Sequence, residues 1–148
     1  MENASPMKSD STTMKEQLKE WILSTLRESA WAPLGVFGFY LAALFIGLYD
    51  LVPPLDIPTH FMGGVAITYF FRSAIFQAQE FVGVIPLPIR SLLAFTSTGT
   101  IAILWEFYEN FLDYFFGTNH VHGLNDTLLD MFLGLFGALI LSLFFRRR

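Results

Sequence analysis

Between Ala30 and Tyr49 the chain runs for twenty residues without an Asp, Glu, Lys or Arg. At about 1.5 Å of rise per residue, a helix over such a run reaches about 30 Å, the thickness of a bilayer's hydrocarbon core. In lipid every backbone polar group must be satisfied within the segment, so a span of this kind is a helix. The rest of the chain has the same character: 53% hydrophobic, 17% aromatic and 15% charged, with mean hydropathy +0.50. These values fall outside the range of a soluble domain of this length and point to an all-α, polytopic membrane protein.

Three further spans follow the same logic. Val52, Pro53, Pro54 and Pro58 interrupt the first span, because proline lacks an amide hydrogen and restricts the residue before it. A second span is expected over residues 57–76, with Arg72 near its far end reaching toward headgroups. Pro86 and Pro88 mark the next connection, and residues 90–110 make the third span. Residues 113–125 hold Gly117, Asn119 and Gly123 and read as a loop, before a fourth span over 126–145 that Arg146, Arg147 and Arg148 close. The expected domain is a four-transmembrane-helix bundle, with Gly63, Gly64, Gly134 and Gly137 allowing close helix approach.

Ahead of the bundle, residues 1–11 are rich in Ser, Asn, Pro and charge and are expected to form a disordered tail. Over residues 12–30, Met14, Leu18, Trp21, Ile22 and Leu26 recur at helical spacing opposite Lys15, Glu16, Lys19, Glu20, Arg27 and Glu28. That pattern suits an amphipathic helix lying in the membrane interface, and equally a solubilising helix that packs on nothing. Neither stretch has the short apolar core and small-residue cleavage site of a secretory signal.

Charge placement sets the expected topology. Four spans put Lys8, Lys15, Lys19, Arg27, Arg72, Arg90 and the three terminal arginines on one side, so both termini are expected in the cytoplasm. The opposite side collects Asp50, Asp56, Glu106, Glu109, Asp113, Asp126 and Asp130 with His60, His120 and His122. With positive charge scattered in this way, nucleic acid is not an expected partner; the lipid bilayer is. No cysteine is present, which removes disulfides, thiolate metal sites and thiol nucleophiles from consideration.

Within that acidic set the spacing is informative. Asp56 and His60 are four apart, Glu106 and Glu109 three apart, and Asp126 and Asp130 four apart, so each pair shares one helix face. Carboxylates at membrane depth are costly unless they pair, face a bundle interior or line water, which favours convergence of all six side chains. Five carboxylates together repel one another, and a divalent cation offsets that charge. Oxygen donors with one imidazole suit Mg²⁺, Mn²⁺, Fe²⁺ or Zn²⁺, and the excess of carboxylates favours the harder ions or a two-metal site. Plainer roles exist for each residue. Asp56 and Asp126 can act as helix N-caps, Glu109 and Asp113 as solvated interface residues, His60 as a packing histidine, and His120 and His122 as loop histidines.

Three functions are compatible with such a cluster. In a metal-dependent enzyme on a lipid-linked or phosphate-bearing substrate, Glu106 or Glu109 would serve as general base. A divalent-cation or proton transporter would use the acidic end as a vestibule, but needs oligomerisation to complete a path and shows no inverted repeat. A non-catalytic scaffold would bind partners through the acidic face. No nucleophile elbow, phosphate loop or dinucleotide fingerprint is present.

The run Asp56, His60, Phe61 and Gly63, then Glu106 to Glu109, then Asp126, Thr127, Asp130, Met131, Gly137 and Ala138 resembles the YjdF-like bacterial inner-membrane proteins. A looser similarity to VanZ-like membrane proteins follows the same order of acidic and histidine positions, with Glu109 and Asp130 departing from the amide residues expected there. The resemblance implies a membrane fold in the bacterial inner membrane and selects the same polar residues; it names no reaction.

Overall fold

The structure, a computed structural model, describes residues 9–144, and side chains from Thr13 onward. It is all-helical over that range: α1 (Ser9–Ser29), α2 (Trp31–Phe45), α3 (Leu48–Leu51), a short 3-10 turn (Pro53–Leu55), α4 (Asp56–Val82), α5 (Leu87–Phe116) and α6 (Leu124–Phe144). The expected tail up to residue 8 and the three closing arginines lie outside the described residues.

Several boundaries differ from expectation, each for a local reason. The first span, expected over Ala30 to Tyr49, is shorter: α2 stops at Phe45 because Gly47 takes a left-handed conformation (φ 65°) and folds its amide back onto Leu44. At fifteen residues, α2 covers about 22 Å. Pro33 sits in its first turn, where its ring cannot follow the carbonyl four residues earlier, and α2 leaves α1 at 56°. By contrast α4 continues to Val82 and ends only at Gly83 (φ 86°). Residues 113–116, expected in a loop, are the last turn of α5, which Gly117 (φ 66°) closes by donating to the Asp113 carbonyl.

Length and hydropathy qualify α5 and α6 as membrane-crossing helices, and α1 with α2 make a third if that bent pair is one span. Asp56, His60, Arg72, Gln77 and Gln79 make α4 more polar than these, although at 27 residues it has the length. On length and apolarity the described residues thus hold two helices able to cross a membrane, or three with the bent pair.

Helix α4 is the central element and packs against α1, α2, α5 and α6. Its contact with α6 is parallel and very close. A Cβ on Gly64 would stand 1.9 Å from the Gly134 carbonyl oxygen, and one on Gly137 would stand 2.2 Å from that of Phe61. Only glycine permits backbones to meet at that separation. Against α5, which runs antiparallel, the buried Thr68 and Thr98 hydroxyls lie 2.8 Å apart, and each also reaches a carbonyl of its own helix. Helix α1 rests on the distal end of α4, where the Trp21 indole donates to the Ala74 carbonyl at 2.7 Å and Ser24 bonds Gln77. Met14, Leu18, Ile22, Leu23 and Leu26 remain exposed on its other side.

Gly64→Ala should lower thermal stability in detergent by about 1–3 kcal/mol or more, because the added methyl meets backbone that cannot rotate away. Gly63→Ala, whose Cβ would meet nothing within 4 Å, should leave the melting temperature near that of wild type.

Candidate functional site

The glycine contact fixes the register of α4 beside α6, and the consequence appears one turn away. Asp130 of α6 comes level with His60, whose Nε2 lies 3.2 Å from Asp56 Oδ1 and 3.8 Å from Asp130 Oδ1. Across the bundle, the antiparallel register that pairs Thr68 with Thr98 also brings Glu106 and Glu109 to the same histidine. Two triads result, Asp56 with His60 and Asp130, and His60 with Glu106 and Glu109, each with ligand atoms within 4.8 Å of one another. His60 belongs to both.

Burial sharpens the arrangement. Glu106, Glu109 and Asp130 are 6%, 5% and 4% exposed, while the Asp56 side chain is 38% exposed. Glu106 and Glu109, three residues apart, turn inward together, and Asn110 donates to the Glu106 carbonyl at 2.9 Å. Buried carboxylates this close repel and lose hydration, so their ionised forms need a proton or cation among them. Among the described residues, Arg72 and Arg90 lie at the other end of the bundle, where the Arg90 guanidinium sits 5.5 Å from the Phe76 ring centre. Arg72 is twelve residues along α4 from His60, about 18 Å of helix.

Not every expected residue joins. Asp126 turns to the loop before α6, where its Oδ2 accepts the His122 amide at 3.0 Å and lies 3.5 Å from His122 Nδ1. It lines the vestibule beside the cluster and belongs to neither triad. Neither Asp126 nor Asp56 works as the N-cap considered for it: Leu55 holds the cap position of α4, and Asp56 is already helical at φ −59°. Asp113 has a definite structural task. Its carboxylate accepts the backbone amides of His120 at 2.9 Å and Val121 at 2.8 Å and the Thr118 hydroxyl at 2.6 Å, and it lies 3.1 Å from His120 Nδ1. It therefore ties residues 117–123 to the end of α5. His120 is held in that knot, whereas His122 is mostly exposed.

Two spaces adjoin the cluster. Outside it lies a vestibule of about 640 Å³, reached by Asp50, Asp56, Glu109, His120, His122 and Asp126. On the inner side an apolar cavity of about 210 Å³ extends between α2, α4 and α5, walled by Val36, Gly63, Ile67, Ile101 and Trp105 with His60 and Asp130 at its polar end. Tyr40 lines both spaces. Sequence reading missed it, because an aromatic residue inside an apolar run carries no sign of a polar role. Trp105, whose ring centre stands 5.0 Å from that of Tyr40, directly precedes Glu106.

Long apolar helices and a buried acid-histidine cluster define the class: a helical membrane protein with a polar centre near one end. The chain belongs to the family described as "Predicted membrane protein (DUF2238)", whose model matches residues 20–148. It is also 31% identical over 104 residues to an uncharacterized protein of Thermotoga maritima, an alignment covering 70% of this chain and 53% of that one. The chain thus spans about half the length of the curated relative it matches. No solved structure matches. The family agrees with the YjdF-like resemblance read from the sequence.

Asp113→Ala should leave the His120 and Val121 amides without acceptors and speed their hydrogen exchange about tenfold or more, since an amide's bond to a charged group contributes about 1.5–3 kcal/mol. The exchange of mid-α5 amides should not change.

Proposed function

We propose that Asp56, His60, Glu106, Glu109 and Asp130 bind a divalent cation, and that the chain is a metal-dependent membrane enzyme acting on a lipid-linked or phosphate-bearing substrate. The observation that carries this reading is the pair of triads sharing His60, with three buried carboxylates and no Lys or Arg among them. Carboxylate oxygens with a single imidazole match Mg²⁺, Mn²⁺, Fe²⁺ or Zn²⁺. Asp126 stands close enough to the vestibule to serve a second ion or the substrate rather than the first.

In this reading a cation held by Asp56, His60, Asp130 and one of the two glutamates would supply a Lewis acid beside a phosphoryl or carbonyl oxygen of the substrate, and the other of Glu106 and Glu109 would take the proton of a water whose oxygen bonds to that phosphorus or carbon and return it to the ester oxygen that leaves. The vestibule admits water and polar headgroups to the exposed Asp56 side, while the apolar walls exclude bulk solvent from the buried side. The proposed topology is a bacterial inner-membrane protein of four spans, α4 completing the set through its central position. Lys15, Lys19, Arg27, Arg72 and Arg90 mark the cytoplasmic face, with both termini there and the cluster at the outer face. Arginines at the inner end repel a cation on its way across, which favours a site that retains its ion over one that conducts it.

Detergent-purified protein, loaded with each divalent cation in turn and desalted, should retain metal by elemental analysis. The double variant Glu106→Gln with Asp130→Asn should fall to the level of the buffer, and Asp113→Asn should retain as much as wild type. Equal metal in wild type and the double variant, or none in either with any of the four ions, would refute the proposal.

A further inference from the structure

The inner cavity begins at the cluster and extends into the centre of the bundle. Its α5 wall, Thr98 to Trp105, is the middle of a helix that runs from Leu87 to Phe116, so the space lies at the depth of lipid chains rather than of headgroups. On α4 its wall runs from Thr59 to Ile67, and the eight residues from His60 to Ile67 cover about 10 Å. At about 210 Å³ it exceeds the roughly 150 Å³ apolar cavity that holds a benzene ring, and it admits a stretch of one hydrocarbon chain but not a whole lipid.

Its polarity is graded. At the inner end the one polar wall residue is Thr98, whose hydroxyl is engaged with Thr68 and the Ala94 carbonyl. At the cluster end stand His60, Asp130 and the Tyr40 hydroxyl. Tyr40 is 5% exposed, lines both cavity and vestibule, and its buried hydroxyl has no hydrogen-bond partner among the described residues. A phenol hidden from water ordinarily finds an acceptor, and one left without is a group waiting for a ligand oxygen. Gly63 supplies a second sign. It lines the cavity, and a Cβ there would meet nothing within 4 Å, so its side is open by geometry while neighbouring Gly64 is in backbone contact.

We infer that this cavity seats one hydrocarbon chain, acyl or isoprenoid, of a membrane lipid whose oxygen-bearing head is held at the Tyr40 hydroxyl beside the cluster. The inference rests on the proposed reading of the cluster as the place where the head reacts, and it specifies the substrate class as an amphiphile that enters chain-first. Tyr40 is a positioning residue: it donates to an oxygen of the head and fixes how far the chain enters. The neutral part of that recognition needs no cation.

The test is photocrosslinking in detergent with a monoacylglycerol that carries a diazirine in its chain, in the absence of added metal, followed by peptide mapping. Wild type should label at cavity residues such as Val36, Ile67 and Ile101. Gly63→Leu, which fills the space from α4, and Val36→Phe, which fills it from α2, should each reduce that labelling about tenfold, and Gly38→Leu, which adds the same bulk to an exposed part of α2, should not. Tyr40→Phe should keep the sites of labelling but require about tenfold more probe, the effect of one lost hydrogen bond of about 1.4 kcal/mol. Labelling spread evenly over the exposed residues Phe39 and Leu41 would indicate annular lipid only and overturn the inference, as would undiminished labelling in both filled variants. Metal content measured on the same samples separates the two ideas. Confined labelling without retained metal supports the seat and removes the metal, and retained metal with unconfined labelling does the reverse.

Discussion

The approach of α4 to α6 through bare backbone is the constraint from which the site follows. In lipid there is no hydrophobic drive for one apolar helix to prefer another, so close packing and polar contacts decide the partners. Gly64 against Gly134 and Phe61 against Gly137 leave a single parallel register in which the helices fit. That register places Asp130 at His60. A shift of one residue would rotate Asp130 by about 100° around its helix and leave its carboxylate facing lipid. Packing and chemistry are thus one decision, made by residues that contribute no functional group.

The second helix pair is fixed differently. Between α4 and α5 the marker is polar, the hydroxyls of Thr68 and Thr98, which have two hydrogens for three possible bonds and so remain exchangeable among their acceptors. Small hydroxyl side chains cost little when their own helix supplies an acceptor. They sit between the acidic end and the arginine end. The bundle therefore carries its buried carboxylates at one end and Arg72 and Arg90 at the other, with a neutral hydrogen-bonded centre between them.

Much of this could be read from the sequence, and the parts that could not share a cause. The helical class, the apolar runs and the helix faces bearing Asp56 with His60, and Glu106 with Glu109, follow from spacing alone, since each pair lies within one helix. The boundaries that moved did so at single residues: Gly47 ended α2 early although no charge marked the place, and the aromatic stretch Phe111 to Phe116 carried α5 on to Gly117. Asp126 shares its helix with Asp130, and spacing groups them, yet a loop amide four residues earlier claims the Asp126 carboxylate. Tyr40 was invisible because its significance depends on what surrounds the hydroxyl, and surroundings that come from four helices are not written in any local pattern.

The unequal lengths of the helices have an effect beyond the protein. At fifteen residues α2 offers lipid about 22 Å of apolar wall, whereas α5, at thirty, offers about 45 Å, and no flat slab of about 30 Å matches both. In a bilayer, lipid beside the short wall would thin and that beside the long wall would thicken or let the helix lean. The short wall carries Tyr40 and Leu44 beside Asp56 and Glu109, so the thinner side would be the one nearest the acidic centre.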